Sequence, residues 1–453
     1  MSSVNKSRKP SGTRRPVSTP APAPVASQGW VALRVAQVQA VLGEVLQWEH
    51  PADSVLSHWF RRNGKLGSRD RGEVADAVFD VLRHLRRYRH YAQSGVGPSA
   101  RRLAILGLKQ VLSTEQLNTA LSSEELDWLA HVARIQPESL SLAVRNSVPD
   151  WLAARIETLD DPQSLIAALN EPAPLDIRVN PFKVEREVAL DWLRAGPGAK
   201  YDPQPTPYSP WGIRLQGRPA LNRWALFERG EIEVQDEGSQ LLAALVAPRR
   251  GDMVIDYCAG AGGKTLLLGA LMRSTGRLYA FDVSAARLAR AKPRFARSGL
   301  SNIVPVVIAE NADQRVKRLR GKAQRVLVDA PCSGLGTLRR NPDLKWRQHP
   351  ESLQALLAVQ ASILRQAAQC VAPGGRLVYA TCSILPEENE RQVEAFLAEN
   401  PSFKLVDAGK ILADRCENLT LDGPYLSLRP DRHGTDGFFA AVLERDKAVA
   451  VGA

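Results

Sequence analysis

Three absences narrow the class of this 453-residue chain. No uninterrupted apolar run approaches the roughly 18–20 residues that a membrane helix needs, so no membrane partner is expected. No apolar segment follows the basic residues near the N-terminus, which predicts that a secretory signal is absent. Cysteine is scarce: there are 5, an odd number scattered through a long chain, with no CxxC and no clustered Cys/His spacing. That argues against a disulfide framework, suggests no metal site, and predicts a reducing, cytoplasmic setting. What remains is ordinary for a soluble globular protein, at 44% apolar and 24% charged residues. The length suffices for two or three domains with proper cores.

Acid is also missing where base is concentrated. Residues 1–30 contain Lys6, Arg8, Lys9, Arg14 and Arg15 and no acid, a charge of +5. Residues 61–102 hold eleven Lys/Arg against four Asp/Glu, a charge of +7, so the rest of the net +12 sums to zero. A basic excess confined to the N-terminal quarter suits contact with a polyanion. A solvated tail and a charged helix face account for it equally well.

The texture of the chain divides it into four parts. Residues 1–29, rich in Ser, Pro, Ala and base, read as a disordered tail, because they offer too little apolar surface to offset ordering entropy. Residues 30–160 carry apolar residues at helical spacing, such as Val31, Leu33, Val35, Val38, Val41, Leu42 and Leu46, and later Val74, Val78, Val81, Leu85 and Tyr88. Arg83, Arg87 and His90 fall on a different face of that second run. Residues 161–245 read as a small α+β segment, with a strand from Leu175 and a helix over Leu241 to Val246. From 246 to 446, apolar runs at 253–255, 278–281, 303–308, 326–328, 377–380 and 438–443 alternate with helical stretches. Such alternation predicts a doubly wound, Rossmann-like α/β sheet. Asp282, Glu310, Asp329 and Cys382 sit at the ends of these runs, where an open parallel sheet forms its ligand crevice.

One stretch organises this region: Asp256-Tyr257-Cys258-Ala259-Gly260-Ala261-Gly262-Gly263-Lys264-Thr265, between two apolar runs. Strand, glycine turn and helix make a nucleotide-handling unit, and glycines at 260, 262 and 263 let backbone N–H groups approach a ligand. Three ligands compete. An ATPase loop would need glycine where Cys258 stands. A dinucleotide loop would need a third glycine at Thr265 and tolerates poorly a lysine near pyrophosphate. S-adenosylmethionine (SAM) uses Asp282 for its ribose and allows Asp256 to face a cationic amino group.

Two thiols decide among them. Cys332, in Asp329-Ala330-Pro331-Cys332-Ser333, and Cys382, in Thr381-Cys382-Ser383, each follow an apolar strand and so point into the same crevice. A lone cysteine is usually a small buried hydrophobe, which suits Cys370 and Cys416. Methylation of a pyrimidine at carbon 5 requires a thiol there. A thiolate adding at carbon 6 makes carbon 5 nucleophilic enough to attack a sulfonium methyl. Asp329 could hydrogen-bond the base edge, and a base must then remove the proton from carbon 5. The target has to be unstacked, which favours single-stranded RNA. Chemistry alone does not rank the two thiols, since DNA cytosine methyltransferases attack with a Pro-Cys thiol.

The set DYCAGAGGKT, DAPCSGLGTLRRNPDLKW, YATCSILPEENE and HGTDGFFAAVL, with GEIEVQDEGSQL upstream, resembles the RsmB/Sun/Nop family of RNA cytosine-5 methyltransferases over residues 170–445. The helical 30–160 region resembles, more loosely, the NusB-like RNA-binding domain of the RsmB branch. That resemblance implies Cys382 as nucleophile and Cys332 as the thiol assisting release. It also implies SAM contacts from Cys258, Ala259, Gly260, Ala261, Gly262, Gly263, Lys264, Asp282 and Asp329. Glu310 aligns as the third acidic contact, with Asp313 as the alternative, and Lys345, Trp346 and Arg347 are possible RNA contacts. The expectation is a monomeric enzyme acting on small-subunit rRNA, with no metal. The alternatives are tRNA as substrate, or a non-catalytic RNA-binding assembly factor on the same fold.

Overall fold

The computed structural model describes residues 29–310, 313–416 and 418–447. Residues 1–28, most of the expected tail, lie outside this range.

Seven helices run from Trp30–Val45 to Ser123–Val132 and share one core, in which Val35, Val38, Leu42, Val74, Val78, Leu82 and Ile105 are buried. The i, i+3, i+4 spacing of these residues turns one stripe of each helix inward. Leu33 is the exception among the apolar positions named above, being half exposed on the outer face of its helix. Arg83 also departs from a free basic stripe. It is buried and donates from Nη2 to the carbonyl of Arg339 at 2.7 Å.

A four-stranded antiparallel sheet follows. Its strands are β1 (Leu175–Val179), β2 (Gln204–Pro205), β3 (Gly212–Leu215) and β4 (Ile232–Val234), in the order β2-β3-β1-β4. β4 lies inside the stretch that reads in sequence only as a lead into the helix, because three residues carry too little alternation to reveal a strand. The helix itself spans Glu237–Val246.

The C-terminal sheet has eight strands: β5 (Met253–Asp256), β6 (Arg277–Asp282), β7 (Ile303–Val307), β8 (Ala323–Asp329), β9 (Val371–Thr381), β10 (Phe403–Val406), β11 (Leu426–Leu428) and β12 (Phe438–Arg445). The order is β10-β12-β9-β8-β5-β6-β7, with β11 paired to β12. β5 through β9 pair in parallel, whereas β12 runs antiparallel between β9 and β10. This is the Rossmann-like α/β architecture, with a mixed rather than uniformly parallel sheet. Strand order reverses between β5 and β8, and the carboxyl ends there open a crevice.

Helices Asp150–Ile156 and Pro162–Leu169 pack Leu152, Ile156, Leu165 and Leu169 against Leu335, Leu338 and Leu385. These last three belong to the loops that carry the two motif cysteines, so the thiols rest on a helical floor. One glycine makes a close approach there. Gly336 N–H donates to the Cys382 carbonyl at 2.9 Å, and its own carbonyl accepts from Gly437 N–H at 2.8 Å. A Cβ at 336 would lie 2.1 Å from the Gly437 carbonyl oxygen. Both neighbours are backbone, so they cannot swing aside. Gly336→Ala is therefore expected to lower the urea midpoint by an amount equivalent to about 1–3 kcal/mol, read by fluorescence-monitored unfolding.

Candidate active site

The glycine stretch leaves β5 still extended, with Tyr257 N–H on the Leu327 carbonyl and Ala259 N–H on the Phe281 carbonyl, both at 2.8 Å. The loop then reverses at Gly260 and Gly262, whose φ values of +55° and +80° are left-handed. These glycines have different reasons to be there. A Cβ on Gly260 would meet no protein atom within 4 Å, and this residue lines a cavity of about 630 Å³. A Cβ on Gly262 would strike the Phe295 ring at 2.4 Å, so that position is a packing requirement and it does not line the cavity. Gly263 begins the helix to Leu271, and its carbonyl accepts from the buried Arg178 guanidinium at 2.8 Å. The small sheet thus holds the loop from outside, through a residue that carries no local sequence signal of this duty.

Three carboxylates from neighbouring strand ends face the cavity. Asp282 accepts the N–H groups of Gly260 at 2.8 Å and Ser284 at 2.7 Å, which fixes its carboxylate beside the loop. Asp329 pairs with Lys264 Nζ at 2.8 Å. Burial works against the Lys264 charge, but Asp329 outweighs it and the ammonium is held above its usual range. Asp256 accepts from Thr265 Oγ1 at 2.7 Å, while its buried Oδ1 has no hydrogen-bond partner among the described residues. Burial pushes its carboxyl up to about 7.

Cys258, Ala259, Ala261 and Glu310 complete the wall contributed by the motif residues, and burial pushes the Cys258 thiol well up. Asp313 is occupied elsewhere. It caps the helix at Gln314, accepts Ala309 N–H at 2.9 Å and pairs with Arg315, which together hold its carboxyl low. Glu310 lines the cavity and Asp313 does not. Sequence reasoning missed Gln235, Ser239, Arg294 and Ile363, which reach the same cavity from the residue after β4, the helix that follows and two flanking helices. Only their tertiary placement marks them.

These residues fit SAM. The unpartnered Asp256 oxygen can take a cationic amino group, Asp282 has lone pairs left for a ribose diol, and Val283, Ile308 and Ile363 offer an apolar face for adenine.

Neither motif thiol lines the cavity itself: Cys332 and Cys382 meet just behind its Asp329, Pro331 and Lys264 wall. Cys332 Sγ lies 3.2 Å from Cys382 Sγ and accepts the Cys382 backbone N–H at 3.3 Å. The hydrogen bond to Cys382 and then burial push the Cys332 thiol well above its usual value. Cys370 and Cys416 are buried among apolar side chains and stand apart from this pair.

The Lys345-Trp346-Arg347 segment is differently placed from the RNA contact expected of it. Lys345 is fully buried, donating to the Arg83 carbonyl at 2.7 Å and to Asn170 Oδ1 at 2.8 Å. Burial, with Arg83 and Arg87 nearby, pushes its ammonium well down. Trp346 packs on the N-terminal helical core and donates to the Leu82 carbonyl at 2.8 Å. Arg347 lies 3.5 Å from Asp343. The segment joins the helical unit to the catalytic one.

The raised Asp256 carboxyl gives a pH test. Its folded value of about 7 exceeds the ordinary 3.8, so the folded state binds the extra proton between those limits. Stability contributed by that proton is present at low pH and lost as pH rises through the window. Asp256→Asn should flatten the fall in melting temperature between pH 4 and pH 7. Parallel profiles for variant and parent would contradict it.

Residues 243–444 match the family model described as 16S rRNA methyltransferase RsmB/F, and residues 148–222 match the ferredoxin-like domain of RsmF/B-like methyltransferases. The chain is 32% identical over 367 residues to ribosomal RNA small subunit methyltransferase B of Pasteurella multocida, covering 76% of this chain and 79% of that one. It is 34% identical over 324 residues to the Yersinia pseudotuberculosis protein of the same name, covering 70% and 71%. The crystal structure of PH0851 superposes with a TM-score of 0.72 at 25% identity, covering 92% of this chain and 98% of that one. The chain belongs to the RsmB/F family, and with it to the SAM-dependent methyltransferases.

Proposed function

We propose that this protein methylates carbon 5 of a cytosine in small-subunit rRNA, with Cys382 as the attacking thiol. The observation that carries the reading is the pair of sulfurs 3.2 Å apart beside a SAM-sized cavity. A binding factor that had lost its chemistry would have no use for two thiols apposed next to the Asp329 and Pro331 wall of that cavity.

SAM, when bound, supplies an electrophilic methyl group. Cys382, its proton lost to solvent, adds as the thiolate to carbon 6 of the cytosine, which makes carbon 5 the nucleophile. Cys332, held protonated by its environment, donates its S–H to the neighbouring sulfur and so supports negative charge on Cys382. The Lys264 ammonium acts in the same sense, because its own charge is favoured by Cys382 as well as by Asp329. Asp329 holds the base edge while paired to Lys264. After methylation the carbon 5 proton must leave, and the Cys382 bond to carbon 6 then breaks. Cys332 is the group assigned to that release: once its S–H proton has passed to solvent, its thiolate takes the carbon 5 proton while the sulfur of Cys382 leaves with the electron pair of its bond to carbon 6.

The helical unit is assigned a part in RNA contact, on fewer residues than net charge suggests. Arg62 pairs with Glu44, Arg86 with Asp150 and Arg101 with Glu125, whereas Arg61, Lys65 and Arg89 remain exposed.

Cys382→Ala should reduce transfer of labelled methyl from SAM to small-subunit RNA at least about 10⁴-fold, by loss of covalent catalysis. Full activity in that variant would sink the assignment. Cys332→Ala should retain attack but fail in release, accumulating an RNA–protein adduct visible as a slow band on a denaturing gel. An adduct accumulating in the Cys382 variant instead would reverse the two roles.

A further inference from the structure

Each motif cysteine is followed by a serine, Cys332-Ser333 and Cys382-Ser383, and both serines turn onto one carboxylate. Glu388 is fully buried. Its Oε1 accepts Ser333 N–H at 2.7 Å and Gln360 Nε2 at 3.0 Å. Its Oε2 accepts Ser333 Oγ at 2.5 Å and also the Ser383 hydroxyl. The two hydroxyls are 3.3 Å apart. Four donors converging on one carboxylate offset the cost of burying its charge.

The flanking groups extend the same device. Gln360 Nε2 also donates to the carbonyl of Pro331, the residue before Cys332, at 3.0 Å. Asn389 accepts from Thr381 Oγ1, the residue before Cys382, at 2.5 Å and donates to the Ser383 carbonyl at 3.0 Å. Tyr379, two residues before the end of β9, donates to the Glu388 carbonyl at 2.7 Å. Both thiols are therefore bracketed on each side by groups that meet at residues 388 and 389. Glu388 does not line the large cavity, and three of its four donors belong to the serines that follow the two cysteines, so its contacts are with the cysteine turns.

We infer that Glu388 is the positioning residue of the two-thiol centre, one carboxylate that fixes both Cys-Ser turns and so sets the spacing of the two sulfurs. Its catalytic consequence rests on the function proposed above; the clamp itself does not. The groups facing Cys332 are Cys382, Glu388 and Tyr379. Glu388 is the carboxylate among them, and its charge opposes ionisation of Cys332.

The test uses the full-length protein, with Glu388→Gln, Glu388→Asp, Ser333→Ala and Ser383→Ala. Diamide measures sulfur proximity without any methyltransferase assay, since it takes up both thiol hydrogens as the sulfurs join. Formation of the Cys332–Cys382 disulfide, followed by peptide mass spectrometry, should slow about 10-fold in Glu388→Gln. Alkylation of Cys332 by iodoacetamide should shift to lower pH in the same variant. Its kcat for RNA methylation should fall about 100-fold, with KM for SAM unchanged, and Glu388→Asp should recover part of the loss. If Glu388→Gln does not fold, slower disulfide formation in both serine variants supports the clamp. Disulfide rates and alkylation profiles matching the parent would overturn it, even if kcat fell. Should the parent protein itself form no 5-methylcytosine, the proposed function fails while the thiol measurements still decide the clamp.

Discussion

The parallel pairing of β8 with β9 sets Asp329 opposite Ala380, and the rest of the site depends on that register. Ala330 N–H continues the ladder onto the Ala380 carbonyl at 2.9 Å, so the two chains leave the sheet side by side. Two cysteines fifty residues apart in sequence thereby arrive within sulfur contact. A slip of one residue would turn alternate side chains to the opposite face and separate them. Packing resists the slip. Val326, Val328, Leu377 and Tyr379 are buried on one side of the sheet, and Leu327, Val378 and Ala380 on the other.

Charge is arranged around this centre in two zones. The cavity gathers Asp256, Asp282, Glu310 and Asp329 against Lys264, Arg287 and Arg294, a lining with one acid in excess that suits a ligand bearing a sulfonium and an ammonium. A developing thiolate beside so many acids would be opposed, and Lys264 resolves the conflict. It pairs with Asp329 and still faces Cys382. On the proposed mechanism, one lysine thus separates a region that receives a cation from one where an anion would form.

Much of this was legible because chemistry-bearing residues stand at strand ends, and strand ends can be read from short apolar runs. The glycine turn, Asp282, Asp329 and the two thiols all announce themselves in that way. β10 and β11, at four and three residues, are too short to show a period, and the insertion of β12 between β9 and β10 is a matter of topology. Arg178, Lys345 and Glu388 read in sequence as ordinary surface charges, yet each is fully buried with partners distant in the chain or across a turn. Their duties exist only once the fold brings carbonyls and hydroxyls to them. The Lys345 segment shows the same limit from the other side, since a basic-aromatic triplet looks identical whether it meets RNA or another helix.

The burial of Lys345 and Trp346 bears on how a large substrate is measured. The segment carrying them lies just after the Cys332 loop, and it is bolted to the helical unit through the carbonyls of Leu82 and Arg83. The helical surface and the two motif sulfurs are consequently parts of one caliper, whose jaws are joined by packing and buried hydrogen bonds among the described residues. An RNA that touches both must present its cytosine at a span set by the protein, so selection among exposed cytosines becomes a question of length and shape as much as of sequence.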